Sequence, residues 1–135
     1  MSHGEPPTTE TITIDAGIAA EVADALTVLA SPGRVMILGH LREGPAAVGE
    51  LAVAAGLSPS ATSHQLRMLR HMGWVVRERR GRQIFYSLHD PHVADLLAQA
   101  VFHVDHVRAA RHDHAHSWGV VALQPGIEQP VPPAA

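Results

Sequence analysis

The sequence predicts a mainly α chain that carries one β-hairpin and a long C-terminal helix, and three observations predict it. Apolar residues recur at helical spacing through most of residues 17–112. Only residues 74–79 and 83–88 have β-rich composition, and they flank Arg80-Gly81-Arg82. Helix starts are well marked: Ser31-Pro32, Ser58-Pro59 and Asp90-Pro91 each pair a capping side chain with a proline suited to the first helical position.

Residues 1–15 are polar, with Pro, Thr and Glu, and are expected to form a flexible tail. From Gly17, the residues Ile18, Val22, Ala25, Leu26 and Leu29 predict a first helix reaching Ala30. Ser31-Pro32 opens a second, whose apolar side is Val35, Ile37, Leu38 and Leu41, and Glu43-Gly44-Pro45 stops it. A short third helix over residues 47–55 should bury Val48 and Leu51. Gly56-Leu57-Ser58-Pro59 then connects it tightly to a fourth, which runs to Met72 and buries Thr62, Leu66 and Leu69. Two helices joined by a short Gly-containing connection form a helix-turn-helix. Gly73 ends the second of them, and the β-rich runs that follow read as a hairpin with an Arg-Gly turn, the wing of a winged helix-turn-helix. The last helix starts at Asp90 and should continue to His112, with Val93, Leu96, Leu97, Ala100, Val101 and Val104 as its apolar face. Residues 113–135, His-containing and then Pro-rich, are expected to be flexible. The predicted organisation is thus one domain, 16–112, between tails 1–15 and 113–135.

With 135 residues the chain has room for one modest core. No stretch approaches 18 uninterrupted apolar residues, and the N-terminus lacks a basic-then-apolar leader, so no membrane partner and a cytoplasmic location are expected. The absence of cysteine excludes disulfides, thiolate metal sites and thiol nucleophiles. Net charge is −3, but it is unevenly spread. Residues 1–50 carry seven acids against Arg34 and Arg42, whereas residues 51–89 carry six Arg against Glu78 alone. A basic stripe on an acidic chain is an electrostatic footprint for DNA.

The compositional outlier is histidine, with 11 residues. His92 and His103 are eleven residues apart, about 1100° around a helix, so they share a face, and His106 lies three residues further on the same stripe. Eleven residues also separate His92 and His103 by about 16 Å along the axis, too far for imidazoles with metal bonds of about 2 Å to share one ion. Two antiparallel copies of the helix resolve this. Asp90 and His92 of one chain then stand beside His103 and His106 of the other, giving a homodimer with a pair of intersubunit metal sites.

The fourth helix should expose Ser58, Ser60, Ser63, His64, Gln65 and Arg67 to base edges and phosphates in a major groove of double-stranded DNA. Arg77, Arg79, Arg80 and Arg82 of the hairpin should contact backbone or minor groove, supplying affinity more than specificity. His40, His71 and His89 are left as structural or surface residues.

Four segments, in order and at family spacing, resemble the ArsR/SmtB repressors. They are Leu29-Ala30-Ser31-Pro32-Gly33-Arg34-Val35-Met36-Ile37-Leu38, Glu50-Leu51-Ala52, Ser60-Ala61-Thr62-Ser63-His64-Gln65-Leu66-Arg67-Met68-Leu69-Arg70 and Gly81-Arg82-Gln83-Ile84-Phe85-Tyr86-Ser87-Leu88. The resemblance implies a winged-helix homodimer that represses an inverted-repeat operator and is released by a metal ion effector. The family's two-cysteine site has no counterpart, since the matching positions are Ala52 and Ala54. Its other site, on the last helix, has the pattern Asp-x-His, ten residues, His-x-x-His, which Asp90, His92, His103 and His106 match throughout. Imidazole and carboxylate suit Zn, Ni and Co, and four such donors would close a tetrahedral zinc shell. Nickel and cobalt take higher coordination, for which His3, the Ser2 amine, His112, His114 and His116 are additional candidates. The resemblance to nickel- and cobalt-sensing members points to Ni(II) or Co(II), with Zn(II) as the alternative. A metal-independent winged-helix regulator is a further alternative. A metal-dependent hydrolase is disfavoured, for want of a general base beside the stripe and a layer to enclose substrate.

Overall fold

The computed structural model describes residues 11–117, with side chains described to residue 114. The expectations for residues 1–10 and 118–135 therefore lie outside the described residues. The chain divides into two compact units, Met1–Pro91 and His92–Ala135.

In the first unit, α1 spans Ala16–Leu26, and Asp15 caps it by accepting the Ile18 N–H at 2.9 Å. The helix does not run on to Ala30 as expected. A 3-10 turn, Thr27–Leu29, replaces its last turn, and the Thr27 hydroxyl donates to the Ala23 carbonyl at 2.8 Å. Such back-bonding by Thr competes with the helical ladder, a local effect that apolar periodicity does not register. None of the α1 residues is buried.

Helix α2, Pro32–Leu41, starts at Ser31 and buries Ile37, Leu38 and Leu41. After it, Ala46–Ala47 form a strand, β1, that sequence reading missed. Helix α3, Val48–Ala55, buries Leu51 and Ala52, and α4, Pro59–His71, buries Thr62, Leu66 and Leu69. Strands β2, Val75–Arg80, and β3, Gln83–Leu88, form the expected hairpin. The sheet order is β1-β3-β2, all antiparallel, with Ala46 opposite Tyr86 and Val75 opposite Leu88. Arg80 pairs with Gln83, so the turn is Gly81-Arg82 rather than an Arg-Gly pair. The core of this unit joins the inner faces of α2, α3 and α4 to Val28, Ala46, Trp74, Val75 and Tyr86.

Two helix ends fix the geometry between these elements. At Gly56, φ is +64°, and the Leu57 N–H reaches the Ala52 carbonyl at 3.0 Å while the Gly56 N–H reaches Val53 at 3.2 Å. At Gly73, φ is +80°, and the Trp74 N–H reaches the Leu69 carbonyl at 2.9 Å while the Gly73 N–H reaches Arg70 at 3.1 Å. Both are Schellman closures, which need a left-handed residue that glycine adopts without a Cβ penalty. The first turns the chain from α3 into α4, and the second turns it from α4 into β2.

The described part of the second unit belongs to α5, Pro91–Ser117. It extends beyond the expected end at His112, because no Gly or Pro interrupts the sequence before Gly119. Of its expected apolar face, Val93 and Leu97 are buried, whereas Leu96, Val101 and Val104 are exposed. No single helix among the described residues is long and apolar enough to cross a membrane.

Candidate functional site

The first candidate surface is built on α4. Ser58 caps the helix, accepting the Ala61 N–H at 3.1 Å through its Oγ, and its hydroxyl hydrogen stays available to an outside acceptor. The inner face is fixed by Leu66 and Leu69 and by Thr62, whose hydroxyl donates to the Ser58 carbonyl at 2.8 Å. That anchoring leaves Ser60, Ser63, His64 and Arg67 exposed at i, i+3, i+4 and i+7, one stripe of short hydroxyls, an imidazole and a guanidinium.

Gln65 sits differently from its neighbours. It is half-buried, and its Oε1 accepts from Arg34 Nη1 at 3.2 Å. Arg34 also donates through Nε to the Val28 carbonyl at 2.8 Å and through Nη2 to the Thr27 carbonyl at 3.4 Å. One guanidinium therefore ties the 3-10 turn, α2 and α4 together. The sequence did not reveal this bridging role of Arg34, since its partner on α4 is 31 residues away.

The hairpin supplies the second part of the surface. Along β2, Arg77 and Arg79 continue the face whose base, Val75 with Tyr86 of β3, is in the core. Both Arg are exposed, as is Arg82 in the turn. Arg80 projects from the opposite face, where its Nη2 lies 3.4 Å from Glu78 Oε2 and its guanidinium stacks 5.2 Å from the Phe85 ring centroid. Arg80 thus has an acidic and an aromatic partner within the hairpin itself.

The histidine-rich helix is the second candidate site. His92, His103, His106, His112 and His114 of α5 are all exposed, and Asp90, just before the helix, is half-buried. Among the described residues, no group of three His, Asp or Glu side chains converges to hold a metal ion. The rise of the helix accounts for this, since it holds His92 and His103 about 16 Å apart. Continuation of α5 sets His112 about 120° and His114 about 80° around the axis from His106, off its stripe. His3 and the His116 side chain lie outside the described residues. Two histidines set aside in the sequence have partners: His40 Nε2 lies 3.1 Å from Glu50 Oε2, and His89 Nδ1 lies 3.2 Å from Asp90 Oδ2.

Comparison with known proteins agrees with this architecture. Residues 31–76 match the family described as bacterial regulatory protein, arsR family. The chain is 48% identical over 120 residues to the HTH-type transcriptional regulator NmtR of Mycobacterium tuberculosis, covering 88% of this chain and all of that one. The solution structure of apo-NmtR is similar at a TM-score of 0.61, with 41% identity and coverage of 99% and 100%. The transcriptional repressor SmtB homolog of Synechocystis is 38% identical over 86 residues, 64% of this chain and 65% of that one. A homodimeric winged helix-turn-helix DNA-binding domain from Mycobacterium bovis matches at a TM-score of 0.61 and 28% identity, over 77% of this chain and 91% of that one. These relatives are transcriptional regulators rather than enzymes. A helix-turn-helix closed by two Schellman turns, an arginine-bearing wing and near-complete coverage of such a relative lead to one conclusion: the chain belongs to the arsR family of bacterial regulatory proteins.

Proposed function

We propose that this protein is a cytoplasmic, homodimeric transcriptional repressor whose hold on DNA is released by Ni(II) or Co(II). The observation that carries the reading is the set of three exposed imidazoles on one helix, spaced so that a single chain cannot bring them together. Two antiparallel copies of α5 would place Asp90 and His92 of one chain with His103 and His106 of the other, twice per dimer. The donors fit such ions: imidazole nitrogen and carboxylate oxygen, with no cysteine in the chain to favour softer metals. With such an ion bound, the Asp90, His92, His103 and His106 donors of the two chains would tie the two long helices together, and the dimer so held would no longer match its operator. A count of four donors also suits tetrahedral Zn(II), which is the second reading. His3, His112, His114 and His116 are the candidates to raise the coordination number for nickel or cobalt.

Dimerisation is supported by apolar side chains that the described chain leaves uncovered. Ile18, Val22 and Leu26 form an i, i+4, i+8 row on α1, and Leu96, Val101 and Val104 are exposed on α5. On the DNA side, Ser58, Ser60, Ser63, His64, Gln65 and Arg67 are assigned to the major groove. Of these, Gln65 contributes through its amide nitrogen, because Arg34 holds its oxygen. Arg77, Arg79, Arg80 and Arg82 are assigned to the phosphate backbone and minor groove. A dimer reads an inverted repeat with half-sites about one helical turn, roughly 34 Å, apart.

Complementation tests the shared site directly. One chain carries Asp90→Ala with His92→Ala, and a second carries His103→Ala with His106→Ala. Each homodimer lacks every four-donor site, but the mixed dimer regains one intact site. One Co(II) per mixed dimer, measured by titration after subunit exchange, supports the reading. Four-donor binding confined within one chain predicts no recovery and would refute it.

A further inference from the structure

The residue beside the first candidate metal donor is held in a way that stability does not explain. His89 Nδ1 lies 3.2 Å from Asp90 Oδ2, and because a carboxylate only accepts, the imidazole nitrogen carries the hydrogen. The side chains are 51% and 39% exposed, a setting in which such a pair contributes little to folding. The backbone of His89, by contrast, is firmly placed. Its N–H donates to the Trp74 carbonyl at 3.0 Å, and the Trp74 N–H donates to the Leu69 carbonyl at 2.9 Å. Leu69 is fully buried in α4. The imidazole is therefore presented to Asp90 from a point anchored on the C-terminal closure of α4. From there it engages one of the two carboxylate oxygens.

Carboxylates that ligate metals depend on hydrogen-bonding partners that fix their orientation, and loss of such a partner weakens metal binding about ten- to hundredfold. We propose that His89 is a positioning residue for the metal site. It holds Oδ2 of Asp90 so that the carboxylate presents a fixed donor to the ion, and it does not ligate the ion itself. This rests on the reading of Asp90 as a metal donor. The sequence places His89 next to that donor in His89-Asp90-Pro91-His92, but adjacency alone does not say whether the imidazole turns toward the carboxylate.

The test is a Co(II) titration of the full-length dimer, followed by the visible d–d spectrum, for wild type, His89→Ala, His89→Asn and His103→Ala. Asparagine places an amide N–H close to where the imidazole Nδ1–H stands. The expected result is that His89→Ala binds Co(II) about ten- to hundredfold more weakly, with the band positions of the saturated wild type. His89→Asn should recover most of the affinity, and all His89 variants should bind operator like wild type when metal-free. Wild-type affinity in His89→Ala, or no recovery in His89→Asn, overturns the positioning role. Shifted bands at saturation in His89→Ala, of the kind produced by His103→Ala, overturn it by making His89 a ligand. If wild type develops no d–d bands, or His103→Ala titrates like wild type, the metal-site reading itself fails and the role of His89 falls with it.

Discussion

The two faces of the hairpin should differ in how they hold DNA, and replacing Arg79 or Arg80 by alanine separates them. Arg79 is exposed and lies on the same face of β2 as Val75 and Arg77, the face that continues from the core. Arg80 is on the other face, 3.4 Å from Glu78 and stacked on Phe85. Each phosphate neutralised by a cation contributes about −0.9 to the slope of log K against log salt concentration. A dimer presents two copies of each side chain. Arg79→Ala should therefore make the slope less steep by about 1.8, whereas Arg80→Ala should change it by less than about 0.9, because Glu78 already answers part of that charge. The assay is fluorescence anisotropy on an operator duplex between about 50 and 200 mM salt, the range over which phosphate contacts dominate affinity. Equal slope changes for the two variants, or none for Arg79→Ala, would refute the assignment of the Arg77–Arg79 face to the DNA backbone.

Further outcomes follow from the packing and from the uncovered apolar rows. Leu66 is fully buried on the inner face of α4, so Leu66→Ala should cost about 2–5 kcal/mol in denaturant unfolding and weaken operator binding with it. Val22→Asp puts a charge in the middle of the exposed α1 row and should shift sedimentation toward monomer, with loss of operator binding at the same protein concentration. Arg34→Ala removes the charged donor shared by Val28, Thr27 and Gln65, and should cost about 1.5 kcal/mol, the low end for such bonds because the site is half-exposed. Thermal unfolding monitored by circular dichroism measures that loss, and an unchanged midpoint would contradict the bridging role of Arg34.

The features legible in the sequence are those set by short-range chemistry. Ser31 and Ser58 cap their helices, Gly56 and Gly73 end theirs, and the buried positions of α4 were all placed by period alone. What escaped depends on partners distant in sequence or on competing local bonds. Strand β1 is two alanines with no β propensity of their own, paired only because β3 runs past them. At the end of α1 the Thr27 hydroxyl bonds back to the Ala23 carbonyl, and Gln65 is tied to Arg34 from another helix. The outer face of α4 was legible because its complement, the core face, was. The histidine stripe was legible as a pattern on one helix, whereas its proposed completion calls on a second copy of the chain.

The central claim is that metal bound by these histidines lowers affinity for the operator, and linkage requires DNA to weaken metal binding by the same factor. The most direct measurement is the operator dissociation constant of the dimer, metal-free and with saturating Ni(II), Co(II) or Zn(II), for wild type and His103→Ala. The expected result is a loss of operator affinity of about 5- to 150-fold in wild type on metal addition and little change in His103→Ala. Operator affinity that stays the same in wild type with all three ions saturating would contradict it.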